Sequence, residues 1–229
     1  INPLVIPTPP NKFYSSTYTP THSIWGYDYS QTKYMLWFGF DSFSKSGKAG
    51  ILNHIAEGKR NGAKIVAFNP VKTPMADDIA DEWYPIKPGT DLAVLLAMLK
   101  IVLDEGLYNE DYLRKYSDAA VLIDEKTGRH IASQDGKWYA WSKESGRIET
   151  LDECRAPALD GGPYTFELDG REVSAKPVLQ VIKETVKDYT PQWASSMSDV
   201  SARDIARIAR EFAKAAPQVC IPCLKRDAA

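Results

Sequence analysis

Three short polar stretches of this sequence carry side chains that can hold a phosphate or a nucleotide. They supply hydroxyl, amide, lysine and aspartate groups, and each comes after an apolar run typical of a buried strand. Because the carboxyl ends of parallel strands meet at one edge of a sheet, we expect the stretches to lie together there, beside helix N-termini that offer free N–H groups. The apolar runs and the polar stretches after them are 33–40 with 41–48, 63–68 with 69–74, and 82–86 with 88–91.

The elements that must position these stretches alternate between strand and helix. Apolar residues at helical spacing over 51–56 predict one helix, and Thr73 before Pro74 predicts a second, short and capped. A third predicted helix, 92–105, is apolar nearly all round, so we expect it to be deeply buried. This alternation predicts an α/β fold, a Rossmann-like three-layer α/β/α domain with a mostly parallel sheet.

The pattern changes at Ala120, where short strands and hairpin turns begin. Asp169-Gly170 is the strongest hairpin signal, and Ser201 with Asp204 predicts the start of a helix over 202–215. The absence of an initial Met leads us to interpret the sequence as a piece of a longer protein. The predicted divisions are an irregular segment of an upstream domain (1–32), an α/β cofactor-binding core (33–119), a β-hairpin-rich insertion (120–175) and a helical continuation of the α/β domain (176–229).

Composition excludes several functional classes. With 229 residues, 44% of them apolar, the chain can build a substantial core, and a net charge of -2 gives no basic field for nucleic acid or a membrane surface. No apolar run is long enough to span a bilayer, so we expect no direct membrane insertion. Three cysteines do not make a disulfide framework, and the sequence itself sets no compartment.

Two motifs that could bind a ligand also have purely structural interpretations. The segment 39–46 differs from a phosphate-binding Walker A loop because Ser44 stands where the second glycine is needed, and the next strand ends in Asn69 rather than a magnesium-binding Asp. Cys220 and Cys223 have the spacing of a redox pair or half a metal site, but no second pair accompanies them. We therefore favour two buried apolar cysteines, whose role the sequence leaves open.

The order and spacing of several segments resemble the molybdopterin oxidoreductases of the dimethyl sulfoxide reductase family. The resemblance covers most of 33–215, and two further segments, 137–141 and 157–159, look most like the thiosulfate, polysulfide and tetrathionate reductase branch. The segments that carry the family resemblance are 39–41, 61–66, 69–73, 80–83, 86–93, 107–111, 189–194 and 205–212.

The resemblance implies a bis-molybdopterin guanine dinucleotide cofactor with molybdenum or tungsten, and a 4Fe-4S cluster in an N-terminal part upstream of this sequence. It also implies that the Asp91 carboxylate accepts from the N1–H and N2–H₂ donors of guanine. The family more often has Asn where this chain has Asp41, and Asp-Pro-Arg where it has Asn69-Pro-Val. The implied contacts are Phe38, Gly39, Asp41, Ser42 and Lys45 with a pyrophosphate or pterin edge, Asn69, Lys72 and Thr73 with ribose and guanine, and Gly89, Thr90 and Asp91 with guanine.

The catalytic metal ligand is not identified, since no cysteine precedes Cys154 and the serines 15, 16 and 23 qualify by proximity alone. The resemblance implies a fragment of a catalytic subunit that reduces a sulfur-containing or other oxyanion substrate. It further implies a partner, an iron–sulfur electron-transfer subunit, and a periplasmic or membrane-associated location. The alternatives are a non-catalytic nucleotide- or phosphate-binding module and a P-loop phosphotransferase. We also expect the isolated piece to self-associate, because helix 92–105 would expose apolar surface.

Overall fold

A four-stranded parallel sheet forms the centre of the first of two compact units. In a computed structural model of the chain, residues 28–40 and 49–222 are described, the first three of the second range by backbone alone. The sheet order is β3-β2-β1-β9, and every neighbouring pair is parallel. Its strands are β1 (Tyr34–Phe38), β2 (Lys64–Phe68), β3 (Glu82–Tyr84) and β9 (Val219–Cys220).

Helices cover both faces of this sheet. On one face, α1 (Ala49–Arg60) and α2 (Pro74–Asp78) contribute Ile55, Met75 and Ala76 to a cluster with Trp37. On the other face, α3 (Asp91–Asp104), α6 (Pro191–Ser198) and α7 (Ala202–Ala215) pack against Phe38 and Phe68. The predicted three-layer α/β arrangement with a mostly parallel sheet is therefore confirmed.

Side-chain caps start α2, α6 and α7, and the caps of α2 and α7 lie where the sequence predicts them. The Thr73 hydroxyl accepts from the Ala76 N–H at 3.2 Å, and the Thr190 hydroxyl accepts from the Trp193 N–H at 3.1 Å. The Ser201 hydroxyl accepts from the Asp204 N–H at 3.1 Å and donates to the Asp204 carboxylate at 2.6 Å. Each cap satisfies an N–H group that the first helical turn leaves without an intrahelical partner.

The expectation that the third predicted helix is deeply buried is wrong for one of its faces. Ala93, Val94 and Ala97 of α3 enter the core, whereas Leu92 is 65% exposed and Leu99 39% exposed. An apolar sequence all round a helix predicts that both faces are covered, but it does not show which part of a protein covers each face. Among the described residues, the Leu92–Leu99 face of α3 is uncovered.

The second compact unit, 102–188, is mostly antiparallel sheet. Its β4-β8-β7 sheet and β5-β6 hairpin enclose a core of Leu122, Ile131, Val173 and Ala175, on which Trp141 and Tyr164 stack at 4.4 Å between ring centroids. Asp169 and Gly170 both have positive φ at the predicted hairpin turn. The elements are α4 (Glu110–Tyr116), β4 (Leu122–Asp124), β5 (Tyr139–Trp141), β6 (Ile148–Thr150), β7 (Tyr164–Leu168), β8 (Arg171–Pro177) and α5 (Val178–Thr185).

The chain forms two compact units, and the four divisions predicted from the sequence pattern stay a prediction. The described residues up to 101 and from 189 onward belong to the first unit, so the predicted insertion, 120–175, lies wholly inside the second. Across the described ranges, no helix is both long and apolar enough to cross a bilayer.

Candidate functional site

The first two polar turns begin side by side at the carboxyl edge of the parallel sheet. Phe38 of β1 pairs with Phe68 of β2, which pairs with Tyr84 of β3, so the three strands end at the same level. The ladder continues one step further, since the Gly39 N–H donates to the Phe68 carbonyl at 3.0 Å and the Asn69 N–H donates to the Tyr84 carbonyl at 3.2 Å. This backbone pairing brings Gly39 and Asn69 to neighbouring positions.

Two predicted contacts just before the first polar stretch, Phe38 and Gly39, lie among the described residues. The Phe38 ring is fully buried and stacks on Phe68 with centroids 4.6 Å apart, so its side chain belongs to the core and only its backbone reaches the turn. Gly39 is exposed, and its φ of 61° lies in the left-handed region that glycine adopts without strain. The predicted contacts Asp41, Ser42 and Lys45 fall outside the described residues.

Asn69 is the most unusual residue of the second turn because its polar side chain is buried without a partner. It is 4% exposed, and its amide Nδ2 has no hydrogen-bond acceptor among the described residues. Its backbone is held firmly, since the Asn69 carbonyl accepts from the Trp83 indole N–H at 3.1 Å. A buried amide left unpaired costs about 1–3 kcal/mol, so this side chain is suited to an acceptor from outside the fold.

The other two predicted residues of the second turn already have partners. The Lys72 ammonium forms an ion pair with the Asp77 carboxylate, and the Thr73 hydroxyl caps α2. Both Lys72 and Asp77 are exposed, and such surface pairs contribute at most about 1 kcal/mol. Lys72 is therefore able to exchange Asp77 for a phosphate, whereas the Thr73 hydroxyl is engaged in the helix cap.

The third turn leads from β3 into α3. The Thr90 hydroxyl donates to the Lys87 carbonyl at 2.6 Å, and Gly89 has a φ of 81°. Asp91 is the first residue of α3, and its carboxylate makes no hydrogen bond or ion pair with any described residue. A first-turn carboxylate interacts favourably with the helix dipole, and its two oxygens can accept from a ligand.

Sequence reasoning missed a second buried donor near this edge. The Trp37 ring is fully buried in β1, yet its indole Nε1 has no acceptor among the described residues. Trp37 lies within an apolar run, which predicts only core packing. The sequence could still have indicated this donor, because a buried tryptophan needs a hydrogen-bond partner for its indole N–H group.

A charged network lies between the parallel sheet and α7 and is suited to stability rather than to ligand binding. Glu82 accepts from Arg207 of α7 at 2.5 Å and pairs with Lys64 at 2.6 Å. Burial raises the pKa of Glu82, but hydrogen bonds from Arg207, Lys64 and Tyr84 outweigh it and hold the pKa at about 2. The network comprises Tyr34, Lys64, Glu82, Tyr84, Asp204, Arg207 and Glu211.

The cysteines and histidines form no metal centre in the part of the chain that the structure describes, where no group of three metal-binding side chains occurs. Cys154 and Cys220 are buried, and burial raises the pKa of the Cys154 thiol. Cys220 is buried as expected, and Cys223 falls outside the described residues, so the interpretation of both as buried apolar cysteines stays a prediction for Cys223.

Comparison with known proteins gives a consistent set of relatives, although no protein-family model matches the chain. A sulfite dehydrogenase subunit of Allochromatium vinosum is 37% identical over 175 residues, which are 69% of this chain and 17% of that protein. A putative dimethyl sulfoxide reductase catalytic subunit of Halobacterium salinarum is 32% identical over 180 residues, 73% of this chain and 20% of that protein. The thiosulfate reductase molybdopterin-containing subunit PhsA of Salmonella typhimurium is 25% identical over 194 residues, 85% of this chain and 18% of that protein.

Among solved structures, acetylene hydratase from Pelobacter acetylenicus has a similar fold. The TM-score is 0.52 at 17% sequence identity, and the match covers 86% of this chain and 19% of that chain. At this identity the match concerns the fold alone. The chain spans 17–20% of the length of the three curated relatives described above.

Proposed function

We propose that this chain binds the guanine dinucleotide end of a molybdopterin cofactor. The premise is that the chain belongs to the molybdopterin oxidoreductases of the dimethyl sulfoxide reductase family. The observation that carries the proposal is the edge where β1, β2 and β3 end. The residues that follow these strands include an exposed glycine, a buried amide without a partner and a carboxylate at the start of α3.

The side chains at this edge fit the chemistry of a guanine nucleotide. The unpartnered Nδ2 of Asn69 would donate to an oxygen of the ribose or phosphate, and Lys72 would supply a positive charge after leaving Asp77. The Asp91 carboxylate would accept from the N1–H and N2–H₂ groups of guanine, two donors that match two carboxylate oxygens. Gly89 and Thr90 would shape the turn around the base, and Thr73 would keep α2 in place.

For the whole protein we propose a molybdenum or tungsten oxidoreductase that acts on a sulfur-containing or other oxyanion substrate. The bound metal would supply the two-electron chemistry, while this chain would bind and orient the cofactor. The remaining domains of the subunit would hold a 4Fe-4S cluster, and an iron–sulfur subunit would exchange electrons with it. The names of the relatives, which include sulfite dehydrogenase, thiosulfate reductase and arsenate respiratory reductase, support this class of substrate.

The test is cofactor analysis of the full-length protein that contains this chain. Natively purified protein should hold molybdenum or tungsten and should release guanine nucleotide on acid hydrolysis, in a ratio of two guanines per metal for the bis form. The variant Asp91→Asn removes a charged acceptor, so we expect cofactor affinity to fall at least about tenfold.

The matched control is Asp111→Asn, which removes an exposed first-turn carboxylate from α4. Both variants lose a favourable interaction with a helix dipole, and Asp111→Asn also loses a weak exposed ion pair with Arg114, so a larger loss of cofactor in Asp91→Asn indicates a guanine contact. Protein with neither metal nor guanine would favour the non-catalytic phosphate-binding module. Equal cofactor content in the two variants would remove Asp91 from the site.

A further inference from the structure

Two buried N–H donors without partners lie on the same face of adjacent strands. Trp37 is fully buried and Asn69 is 4% exposed, and neither the indole Nε1 nor the amide Nδ2 has an acceptor among the described residues. These are the two buried side-chain atoms that lack a partner within the described ranges. Because buried polar groups are nearly always hydrogen-bonded, two unpaired N–H donors in one region indicate a common cause.

The strand register brings the two side chains close together. Trp37 of β1 pairs with Ala67 of β2, and Asn69 follows two residues later, so alternation directs Asn69 to the face of the sheet that holds Trp37. The strand spacing and rise separate the two Cα atoms by about 8 Å, a span that an indole and an amide can share. Phe40, just beyond the strand, packs on the Trp37 ring with centroids 5.4 Å apart, so this ring lies toward the carboxyl edge.

The surroundings of the two unpaired atoms are largely apolar. The residues packed around Trp37 are mostly aliphatic, aromatic or sulfur-containing, with Met75 and Ala76 of α2 among them. Helix α1 packs on the same face through Ile55, and the N–H groups of its first turn, which have no intrahelical partners, are further donors. Because both unpaired atoms are N–H donors, the missing partner is an acceptor, and the oxygens of a phosphate meet that condition.

We infer that the Trp37 indole and the Asn69 amide form a donor pair that binds one phosphate oxygen of the guanine dinucleotide. The inference rests on the proposed function and adds Trp37 as a positioning residue for it. Trp37 would fix the pyrophosphate close to β1, while Asp91 would recognise the base.

The experiment measures the rate at which the full-length holoprotein releases guanine nucleotide. The variant Trp37→Phe removes the N–H and keeps an aromatic ring, so release should become at least about tenfold faster. The matched control is Trp193→Phe, the same change on the opposite face of the sheet, which should release nucleotide at the wild-type rate. A double variant with Asn69→Leu should lose less than the sum of the two single losses, because both donors serve one oxygen.

The outcomes separate this inference from the proposed function. Wild-type protein without guanine nucleotide overturns both. The inference alone is overturned if the wild-type protein holds nucleotide but Trp37→Phe releases it no faster than Trp193→Phe does. It is also overturned if Trp37→Phe is less stable but retains nucleotide. If Trp37→Phe does not fold, benzothienylalanine at position 37 replaces the N–H by sulfur in a ring of the same shape, and the same two results decide.

Discussion

The charged network on α7 makes a sharp prediction about acid stability through Glu82. Its pKa is lowered from 4.5 to about 2, with burial opposing the shift and hydrogen bonds from Arg207, Lys64 and Tyr84 producing it. That difference corresponds to at most about 3 kcal/mol of folding free energy at neutral pH. Because the Glu82 side chain is 25% exposed and the Arg207 side chain 35%, solvent screens the network, and we expect about 2 kcal/mol.

The perturbation is Glu82→Gln, which removes the charge and keeps the shape of the side chain. Arg207 and Lys64 keep Glu211 as a partner, so the variant leaves no buried cation unpaired. Hydrogen exchange of α7 peptides in the full-length protein, followed by mass spectrometry at pH 7, should become about 30-fold faster. The control Glu57→Gln, on the exposed side of α1, should change exchange by no more than about twofold.

The pH dependence gives the decisive result. A carboxyl whose folded pKa is lowered stabilises the protein above its unfolded pKa of 4.5, and this contribution is lost as the pH falls toward about 2. The difference between wild type and Glu82→Gln should therefore shrink steadily from pH 5 to pH 3. Equal exchange at pH 7, or a difference that grows on acidification, would refute the reasoning.

Three further predictions concern packing and solubility. Gly58→Ala should destabilise the first unit by more than about 2 kcal/mol in hydrogen exchange, because an added Cβ would lie 2.2 Å from the Tyr29 carbonyl oxygen, whereas Asn53→Ala on the exposed face of α1 should not. Thr190→Ala should cost about 1 kcal/mol and speed exchange in α6 about fivefold, while Thr190→Ser should retain the cap; equal rates for the two variants would count against the cap. Leu92→Lys with Leu99→Lys should reduce self-association of the separately expressed chain in light scattering, and a monodisperse wild-type chain would contradict this.

Local patterns were sufficient to predict the parallel sheet and most of its helices. The apolar run over 33–40 and the capping residues Thr73 and Ser201 act through neighbours in sequence, so their effects are readable without tertiary contacts. The burial of α3 could not be predicted in the same way, because the exposure of Leu92 depends on what packs against the helix.

The candidate site was predictable in position but not in detail. Polar residues after three successive strands indicate one sheet edge, and Asn69 and Asp91 were identified on that basis. The burial of Asn69, the core position of the Phe38 ring and the unpaired Trp37 donor depend on the packed sheet and α1. The Glu82–Arg207 pair joins residues 125 positions apart, a contact that no local pattern reports.

The place of β9 beside β1 makes completion of the central sheet a late event in biosynthesis. Tyr34 and Met35 pair with Val219 and Cys220, and the whole second unit separates the two strands along the chain. At ribosomal rates, synthesis from the end of α3 to β9 takes on the order of ten seconds. Throughout that interval one edge of β1 presents unpaired backbone groups to the chaperones that meet a nascent polypeptide.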